Sequence, residues 1–163
     1  SNNNEIMNLL CIDDVLLNPK EYVQDILQYG FQDYADGWKV FKNVQARSND
    51  EFEKNVLELF PNYEAKWNFV RQSPLNQEEP NFIHTDEMMG DITVILYLSQ
   101  NHPDNDGTTL YDGDGKPMCV AYSKFNRMVA FDSDCPHSRN IFENFGEGDE
   151  ARLVQVIFLE QKI

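Results

Sequence analysis

Apolar residues recur at helical spacing in two segments of the first third of the chain. The first segment opens at Asn18-Pro19 and ends before Gly30, and its stripe comprises Tyr22, Val23, Ile26 and Leu27. The second opens at Ser48 with Glu51 three residues later, as in a capping box, and ends at Pro61; its stripe comprises Phe52, Val56, Leu59 and Phe60. Each helix is apolar on one side, so both are expected to cover another surface.

Less regular residues surround these two helices. Residues 8–17 predict a first strand that Asp13-Asp14 interrupts. Residues 31–47 have no single period, although Trp38-Lys39-Val40-Phe41 is compatible with a strand.

From residue 64 onward the period is that of β-strands separated by Asp, Asn and Gly turns. Eight strands are predicted: Ala65–Gln72, Asn81–Thr85, Ile92–Ser99, Thr108–Asp112, Pro117–Tyr122, Met128–Asp132, His137–Phe142 and Arg152–Glu160. This number of strands predicts a mainly β fold, a jelly roll, in which two strands that are apolar on both faces need cover. We expect the two helices to cover one sheet, within one domain made of residues 5–63 and a core of residues 64–160.

Composition and charge narrow the class of protein. The 163 residues are 41% hydrophobic and 12% aromatic, which is typical of a globular domain. The net charge of −15 disfavours a nucleic-acid partner, because such binding needs Lys and Arg against phosphates. Three cysteines without metal or disulfide spacing and the absence of a long apolar run predict a cytoplasmic protein with no membrane contact, and we expect a monomer.

Two histidines and one aspartate have the types and spacing of a metal site. His84 and Asp86 are separated by one residue, and on an extended segment residues i and i+2 point to the same side. His137 precedes the last predicted strand and is the expected third ligand. Two imidazoles and a carboxylate form the facial triad of non-haem Fe(II) oxygenases, which leaves coordination positions open.

Arg152 opens the last apolar strand and shares a face with Val154, Val156 and Phe158. A guanidinium that faces an apolar cavity is costly unless it pairs with an anion. A bound dicarboxylate, met by the planar guanidinium at two points, would compensate this cost. The alternative is a register shifted by one residue, which would turn Arg152 to solvent.

Together these residues resemble the Fe(II)/2-oxoglutarate-dependent oxygenases, and within them the prolyl-hydroxylase-like branch, over about residues 64–160. The resemblance implies that Fe(II) is held by His84, Asp86 and His137 and that 2-oxoglutarate is bound by Arg152, Tyr97 and Leu110. It further implies O₂ as the oxidant, hydroxylation of a C–H bond, and succinate and CO₂ as co-products. The interval between His137 and Arg152 is longer than is usual in the family, which predicts an enlarged turn over residues 143–150.

The substrate remains open at this point. The resemblance suggests a peptidyl residue such as proline, but related folds act on free amino acids, nucleobases and other metabolites, so both a peptide or protein and a small molecule are compatible. Arg71 is either a substrate contact or an exposed charge at the rim of the barrel. Residues 72–81, directly before the metal ligands, are predicted to form a lid.

Two other classes of function compete with an oxygenase. One is a cupin-like metal protein with non-oxidative chemistry, and the other is a non-catalytic module that binds 2-oxoglutarate or a metal. Several minor features have structural interpretations. The acidic segments 104–107 and 112–115 lack EF-hand spacing and are predicted to be hairpin turns, with incidental cation binding as the alternative. His102 is expected in an exposed loop, and Asp132 or Asp134 is expected to orient the metal-binding imidazoles.

Overall fold

The computed structural model describes residues 9–37, 39–79 and 82–163. Ten strands are present in these ranges: β1 Leu10–Ile12, β2 Gln32–Asp36, β3 Lys39–Gln45, β4 Tyr63–Ser73, β5 Ile92–Tyr97, β6 Gly107–Tyr111, β7 Pro117–Tyr122, β8 Arg127–Asp132, β9 His137–Arg139 and β10 Arg152–Gln161. Helix α1 spans Pro19–Leu27, helix α2 spans Asp50–Leu59, and a 3-10 turn spans Gly148–Glu150. None of these helices is long and apolar enough to cross a membrane.

The strands form two antiparallel sheets that face each other. The larger sheet has seven strands in the order β1-β8-β5-β10-β4-β3-β2, and the smaller sheet has the order β7-β6-β9. Strands that are distant in sequence lie side by side, as where β10 pairs with both β4 and β5. This is the predicted jelly roll, a mainly β fold with a double-sheet core.

Both helices pack on the outer face of the larger sheet. Ile26 of α1 and Phe52 and Val56 of α2 are fully buried there. They contact the outward-facing side chains of β5 and β10, which include Val94, Leu96, Ile157 and Leu159. These strands are apolar on both faces because the helices bury one face and the smaller sheet buries the other, as predicted.

A second apolar cluster fills the space between the two sheets. It contains Tyr97, Leu110, Ala121, Val129, Phe131, Val154, Val156 and Phe158. Alternate residues of β10 therefore enter different clusters, with Val154 and Val156 between the sheets and Leu153 and Ile157 under the helices. This register decides which way Arg152 faces.

Two sequence-based predictions were wrong in detail, and one segment that the sequence left open has a clear structure. Residues 82–85 form no strand, and His84 makes only an isolated bridge to His137; Asn81 lies outside the described residues. The predicted capping box of α2 is absent, because the side chain of Asn49, not Ser48, accepts a hydrogen bond from the Phe52 N–H at 2.9 Å. Residues 31–47, left without a clear period, contain the hairpin of β2 and β3; Trp38 lies outside the described residues.

Candidate metal centre

Backbone hydrogen bonds bring the first histidine of the predicted site to the second. The His84 N–H donates to the His137 carbonyl at 3.0 Å, and the His137 N–H donates to the His84 carbonyl at 2.9 Å. Two residues later the Asp86 N–H donates to the Ser133 carbonyl at 2.7 Å. A single bridge and one further contact, rather than a full strand, thus attach the His84–Asp86 segment to the barrel.

The three side chains converge on one point. Asp86 Oδ2 lies 2.9 Å from His137 Nε2, and Asp86 Oδ1 lies 3.4 Å from His84 Nε2. One ligand atom from each residue lies within 4.8 Å of the other two, so the group can hold a metal ion. Of the three side chains, that of His137 is buried with 6% exposed, whereas that of His84 is 40% exposed. The site is therefore anchored on the barrel side and open on the side of His84.

Backbone carbonyls, not the predicted carboxylates, orient the two imidazoles. Nδ1 of His84 lies 2.9 Å from the Phe82 carbonyl, and Nδ1 of His137 lies 2.9 Å from the Cys135 carbonyl. A carbonyl can only accept, so each Nδ1 carries the proton and each Nε2 of the neutral ring presents a lone pair to the cluster. The prediction that Asp132 or Asp134 fills this role is wrong, and the acceptors lie two residues before each histidine in the chain.

Lone pairs and a carboxylate that face one another require a positive charge between them. Burial alone raises the pKa of Asp86, but when the two rings are protonated the hydrogen bonds that Nε2–H of His137 and of His84 donate outweigh it and hold that pKa well below its usual range. The hydrogen bond to Asp86 in turn raises the pKa of His84. A proton can supply the missing charge in the free protein, and a divalent cation fits the same set of donors.

Two hydroxyl groups support the carboxylate. The Thr93 hydroxyl donates to Asp86 Oδ2 at 3.1 Å and lies 2.9 Å from the Ser133 hydroxyl. Thr93 and Ser133 are both buried, so their hydroxyl groups fix the orientation of Asp86 from the barrel side. Neither residue was singled out by the sequence, because a Thr and a Ser carry no spacing signal of their own.

The residues predicted to bind a cosubstrate lie between the sheets, near this centre. Leu110 is fully buried and sits opposite His137 in the pairing of β6 with β9. The Tyr97 hydroxyl lies 2.6 Å from the Thr108 hydroxyl, and burial raises the pKa of Tyr97 to about 12. Arg152 is 7% exposed, on the inter-sheet side that Val154 also faces.

Arg152 has incomplete pairing in this position. Its Nε lies 3.9 Å from Asp106 Oδ1, which is beyond hydrogen-bond range, and neither atom has a hydrogen-bond partner among the described residues. Asp106 is 1% exposed, in a segment predicted to be a hairpin turn. That prediction was wrong for residues 104–107, because this segment connects β5 of the larger sheet to β6 of the smaller one.

The remaining candidates resolve as follows. Arg71 is not simply an exposed rim charge, since its side chain is 29% exposed and pairs with Glu79 at 2.7 Å. His102 lies in the loop after β5, with Nδ1 2.9 Å from the Pro103 carbonyl. The segment 112–115 is a turn, as predicted: Asp112 Oδ1 accepts from the backbone N–H groups of Asp114 and Lys116 between β6 and β7.

Sequence reasoning missed Arg139, Asn144 and the buried role of Glu79. Arg139 follows His137 by two residues on β9 and pairs with Thr108 as His137 pairs with Leu110, so it shares the inward face. The same i, i+2 argument that linked His84 to Asp86 would have identified it. Glu79 and Asn144 lie in connecting segments, where no periodicity indicates the direction of a side chain.

The fold and the His-Asp-His cluster define a class of jelly-roll protein with a group of side chains that could hold a metal ion. No family model and no curated relative matches the sequence, but solved structures match the fold. An oxidoreductase of the 2OG-Fe(II) oxygenase family from Burkholderia pseudomallei has a TM-score of 0.64 at 9% identity, covering 96% of this chain and 86% of its own.

Two further structures extend the comparison. A prolyl hydroxylase from Trichoplax adhaerens, in complex with a hypoxia inducible factor peptide fragment, has a TM-score of 0.59 at 17% identity over 93% of this chain and 83% of its own. EctD from S. alaskensis, with 2-oxoglutarate and 5-hydroxyectoine, has a TM-score of 0.58 at 10% identity over 92% and 71%. At these identities the likeness shows that the chain has the fold of the 2OG-Fe(II) oxygenases.

Proposed function

We propose that the protein is an Fe(II)- and 2-oxoglutarate-dependent dioxygenase that hydroxylates a C–H bond. One observation carries the proposal: a His-Asp-His cluster and a buried, incompletely paired arginine lie within the same barrel. The fold of the 2OG-Fe(II) oxygenases supports it. A non-oxidative metal protein would have no evident use for Arg152, whose burial is costly without an anion.

Each residue has a defined part in this proposal. His84, Asp86 and His137 hold the ferrous ion, with Thr93 orienting the carboxylate. Arg152 binds the distal carboxylate of 2-oxoglutarate, Leu110 excludes water beside it, and the Tyr97–Thr108 pair places hydroxyl groups nearby. Iron with 2-oxoglutarate and O₂ supplies the oxidising chemistry, and the protein contributes geometry and a dry pocket. The exposed side of His84 leaves room for a substrate to approach.

The proposal is tested by anaerobic addition of Fe(II) and 2-oxoglutarate. We expect a visible metal-to-ligand charge-transfer band that needs both components. Arg152→Met should weaken 2-oxoglutarate binding by about tenfold or more, since it removes a charge-assisted contact, while iron binding is retained. Arg127→Met is the matched control, because Arg127 already has an anionic partner in Asp13, at 2.6 Å.

Two results would contradict the proposal. Iron binding without any 2-oxoglutarate-dependent band would favour the cupin-like, non-oxidative alternative. A band without succinate release toward any peptide or small carboxylic acid offered as substrate would favour a non-catalytic binding module.

A further inference from the structure

Three arginines from three different strands converge in the barrel. Arg71 of β4, Arg139 of β9 and Arg152 of β10 share the site with the carboxylates of Glu79 and Asp106. Burial, with Arg152 nearby, lowers the pKa of Arg139 to about 9, and burial likewise lowers the pKa of Arg71. Three cations against two anions leave one positive charge in excess, in a molecule whose net charge is −15. These three arginines, here called the arginine cluster, therefore favour the binding of an anion.

The arginine cluster also has unused hydrogen-bonding capacity. The Nε atoms of Arg71, Arg139 and Arg152 are buried without a hydrogen-bond partner among the described residues. A buried donor without a partner costs about 1–3 kcal/mol, and more when it is charged. A carboxylate can accept hydrogen bonds from buried guanidinium donors of this kind, and Glu79 already pairs with both Arg71 and Arg139.

One carboxylate in the cluster does not come from the barrel. Glu79 lies in the segment after β4, and its side chain is 5% exposed. It accepts from Asn144 Nδ2 at 2.6 Å, lies 2.7 Å from Arg71 and 3.9 Å from Arg139, and is 3.5 Å from the Ser73 hydroxyl. Burial alone raises the pKa of Glu79, but Arg71, Asn144 and Arg139 outweigh it and lower that pKa, so Glu79 is an anion here.

Solvent reaches this carboxylate through a surface cleft. The cleft has a volume of about 720 Å³ and lies between the segment after β4 and the segment after β9. Glu79 and Asn144 form its inner end, and Lys42 and Phe142 are among its other lining residues. Glu79 therefore separates the cleft from the buried arginines.

We propose that Arg71, Arg139 and Asn144 form a second carboxylate site, which binds a carboxylate of the substrate and which Glu79 fills in the free protein. The inference rests on the proposed function, because it assigns Arg152 to 2-oxoglutarate. The distal carboxylate of 2-oxoglutarate balances the single excess charge of the cluster. A further carboxylate then binds only in exchange for Glu79, which withdraws with its segment. The substrate is accordingly a carboxylic acid: a free or acylated amino acid, or a peptide that presents an acidic side chain or its C-terminus.

The test uses protein saturated with Fe(II) and 2-oxoglutarate under anaerobic conditions, titrated calorimetrically with N-acetylglycine and with N-acetylglycinamide. Glu79→Gln should bind N-acetylglycine about tenfold or more tightly than the unmodified protein does, because the competing anion is gone. N-acetylglycinamide, which lacks the carboxylate, should show no gain. Glu78→Gln is the matched control, since it makes the same charge change at the neighbouring, exposed residue.

Arg71→Met provides an independent test in the opposite direction. It should abolish N-acetylglycine binding, also in combination with Glu79→Gln, while the charge-transfer band with 2-oxoglutarate is retained. Equal affinity for N-acetylglycine in all variants would overturn the proposal. The proposal would also be overturned if Glu79→Gln changed the affinity for 2-oxoglutarate but not for N-acetylglycine, because Glu79 would then compete with the carboxylate of 2-oxoglutarate. If instead the proposed function is wrong, the unmodified protein will show no charge-transfer band with Fe(II) and 2-oxoglutarate, so the two failures can be told apart.

Discussion

Gln155 shows how a single polar residue is accommodated in the apolar strand β10. It is fully buried under the helices. Its Nε2 donates to the Arg47 carbonyl at 2.8 Å and to Asn68 Oδ1 at 2.7 Å, and its Oε1 accepts from the Tyr22 hydroxyl. The contact with Tyr22 connects β10 to α1, and the contact with Arg47 connects it to the segment after β3, so Gln155 fixes α1 against the sheet as well as filling space.

Tyr22→Phe should therefore destabilise the protein by about 1–3 kcal/mol at neutral pH, because the carbonyl oxygen of Gln155 loses its donor. Burial raises the pKa of Tyr22 to about 12. A tyrosine in the unfolded chain ionises near pH 10, so ionisation favours unfolding of the unmodified protein as the pH rises from about 10 to 12. The difference in unfolding free energy between the unmodified protein and Tyr22→Phe should therefore become smaller from about pH 10 to 12.

Urea unfolding at a series of alkaline pH values measures this difference. Tyr29→Phe serves as the control, because the Tyr29 side chain is largely exposed. A difference between Tyr22→Phe and the unmodified protein that stays constant from pH 9 to 12 would contradict the assignment of the raised pKa to Tyr22.

At the scale of elements, the N-cap of α2 is Asn49 and not Ser48, which the sequence predicted. Asn49 has extended backbone angles and its side chain accepts from the Phe52 N–H. Asn49→Ala should cost about 1 kcal/mol of unfolding free energy, the usual value of a lost N-cap, whereas Ser48→Ala should have little effect. Thermal or urea unfolding of both variants measures this. A larger loss of unfolding free energy in Ser48→Ala would show that Ser48 is the cap, as the capping box predicted.

The turn before β10 supplies a second pair of matched variants. Gly146 has φ +73°, and a Cβ placed there would lie 1.9 Å from the Glu150 carbonyl oxygen. Gly148 also has a positive φ, of +55°, but a Cβ there would meet nothing within 4 Å. Gly146→Ala should therefore destabilise the protein by about 2–4 kcal/mol, and Gly148→Ala by only about 1 kcal/mol from strain alone.

This turn also positions the predicted cosubstrate arginine. The Arg152 N–H donates to the Phe145 carbonyl at 3.3 Å, directly beside Gly146. Titration of the Gly146→Ala protein with 2-oxoglutarate should accordingly show weaker binding than titration of Gly148→Ala. Equal binding by two folded variants would show that the turn does not set the position of Arg152.

Elements with a strong apolar pattern were predictable, and those held by single contacts were not. Strands β5 and β10 are apolar on both faces, and the two helices carry clear stripes, so their existence and the jelly roll followed from periodicity. The His84–Asp86 segment alternates like a strand, but on the backbone it is attached by one bridge to His137 and one hydrogen bond from Asp86 to Ser133 rather than by a strand ladder. Cap choice at α2 and the inward turn of Glu79 depend on tertiary contacts that no local pattern encodes.

At the scale of the whole molecule, opposite charges are segregated. The chain has 28 acidic and 13 basic residues, and three of the basic residues lie in the arginine cluster inside the barrel. His137 of the metal centre and Arg139 of the arginine cluster both lie on β9, two residues apart, so the barrel presents a cation site and an anion site side by side. A ligand that chelates the metal and ends in a carboxylate satisfies both.

The metal centre also joins parts of the molecule that are distant in sequence, which makes metal binding a test of the whole fold. A cation held by His84, Asp86 and His137 links the segment after β4 to β9 and stabilises the folded state by mass action. At a free concentration of about one hundred times the dissociation constant the gain is about 2.7 kcal/mol, or a rise in Tm of about 5–11 °C for a domain of this size. We expect this rise with Mn(II), which avoids the oxidation of Fe(II).

The three histidines of the chain provide the comparison. His137→Ala should abolish the rise in Tm with Mn(II), because it removes the buried ligand. His102→Ala should retain it in full, since His102 is not part of the His-Asp-His group and its Nδ1 lies 2.9 Å from the Pro103 carbonyl of its own loop. An equal rise in Tm for the unmodified protein, His137→Ala and His102→Ala would show that the cation binds elsewhere, for example among the exposed carboxylates. The barrel fold would then stand without the metal chemistry proposed for it.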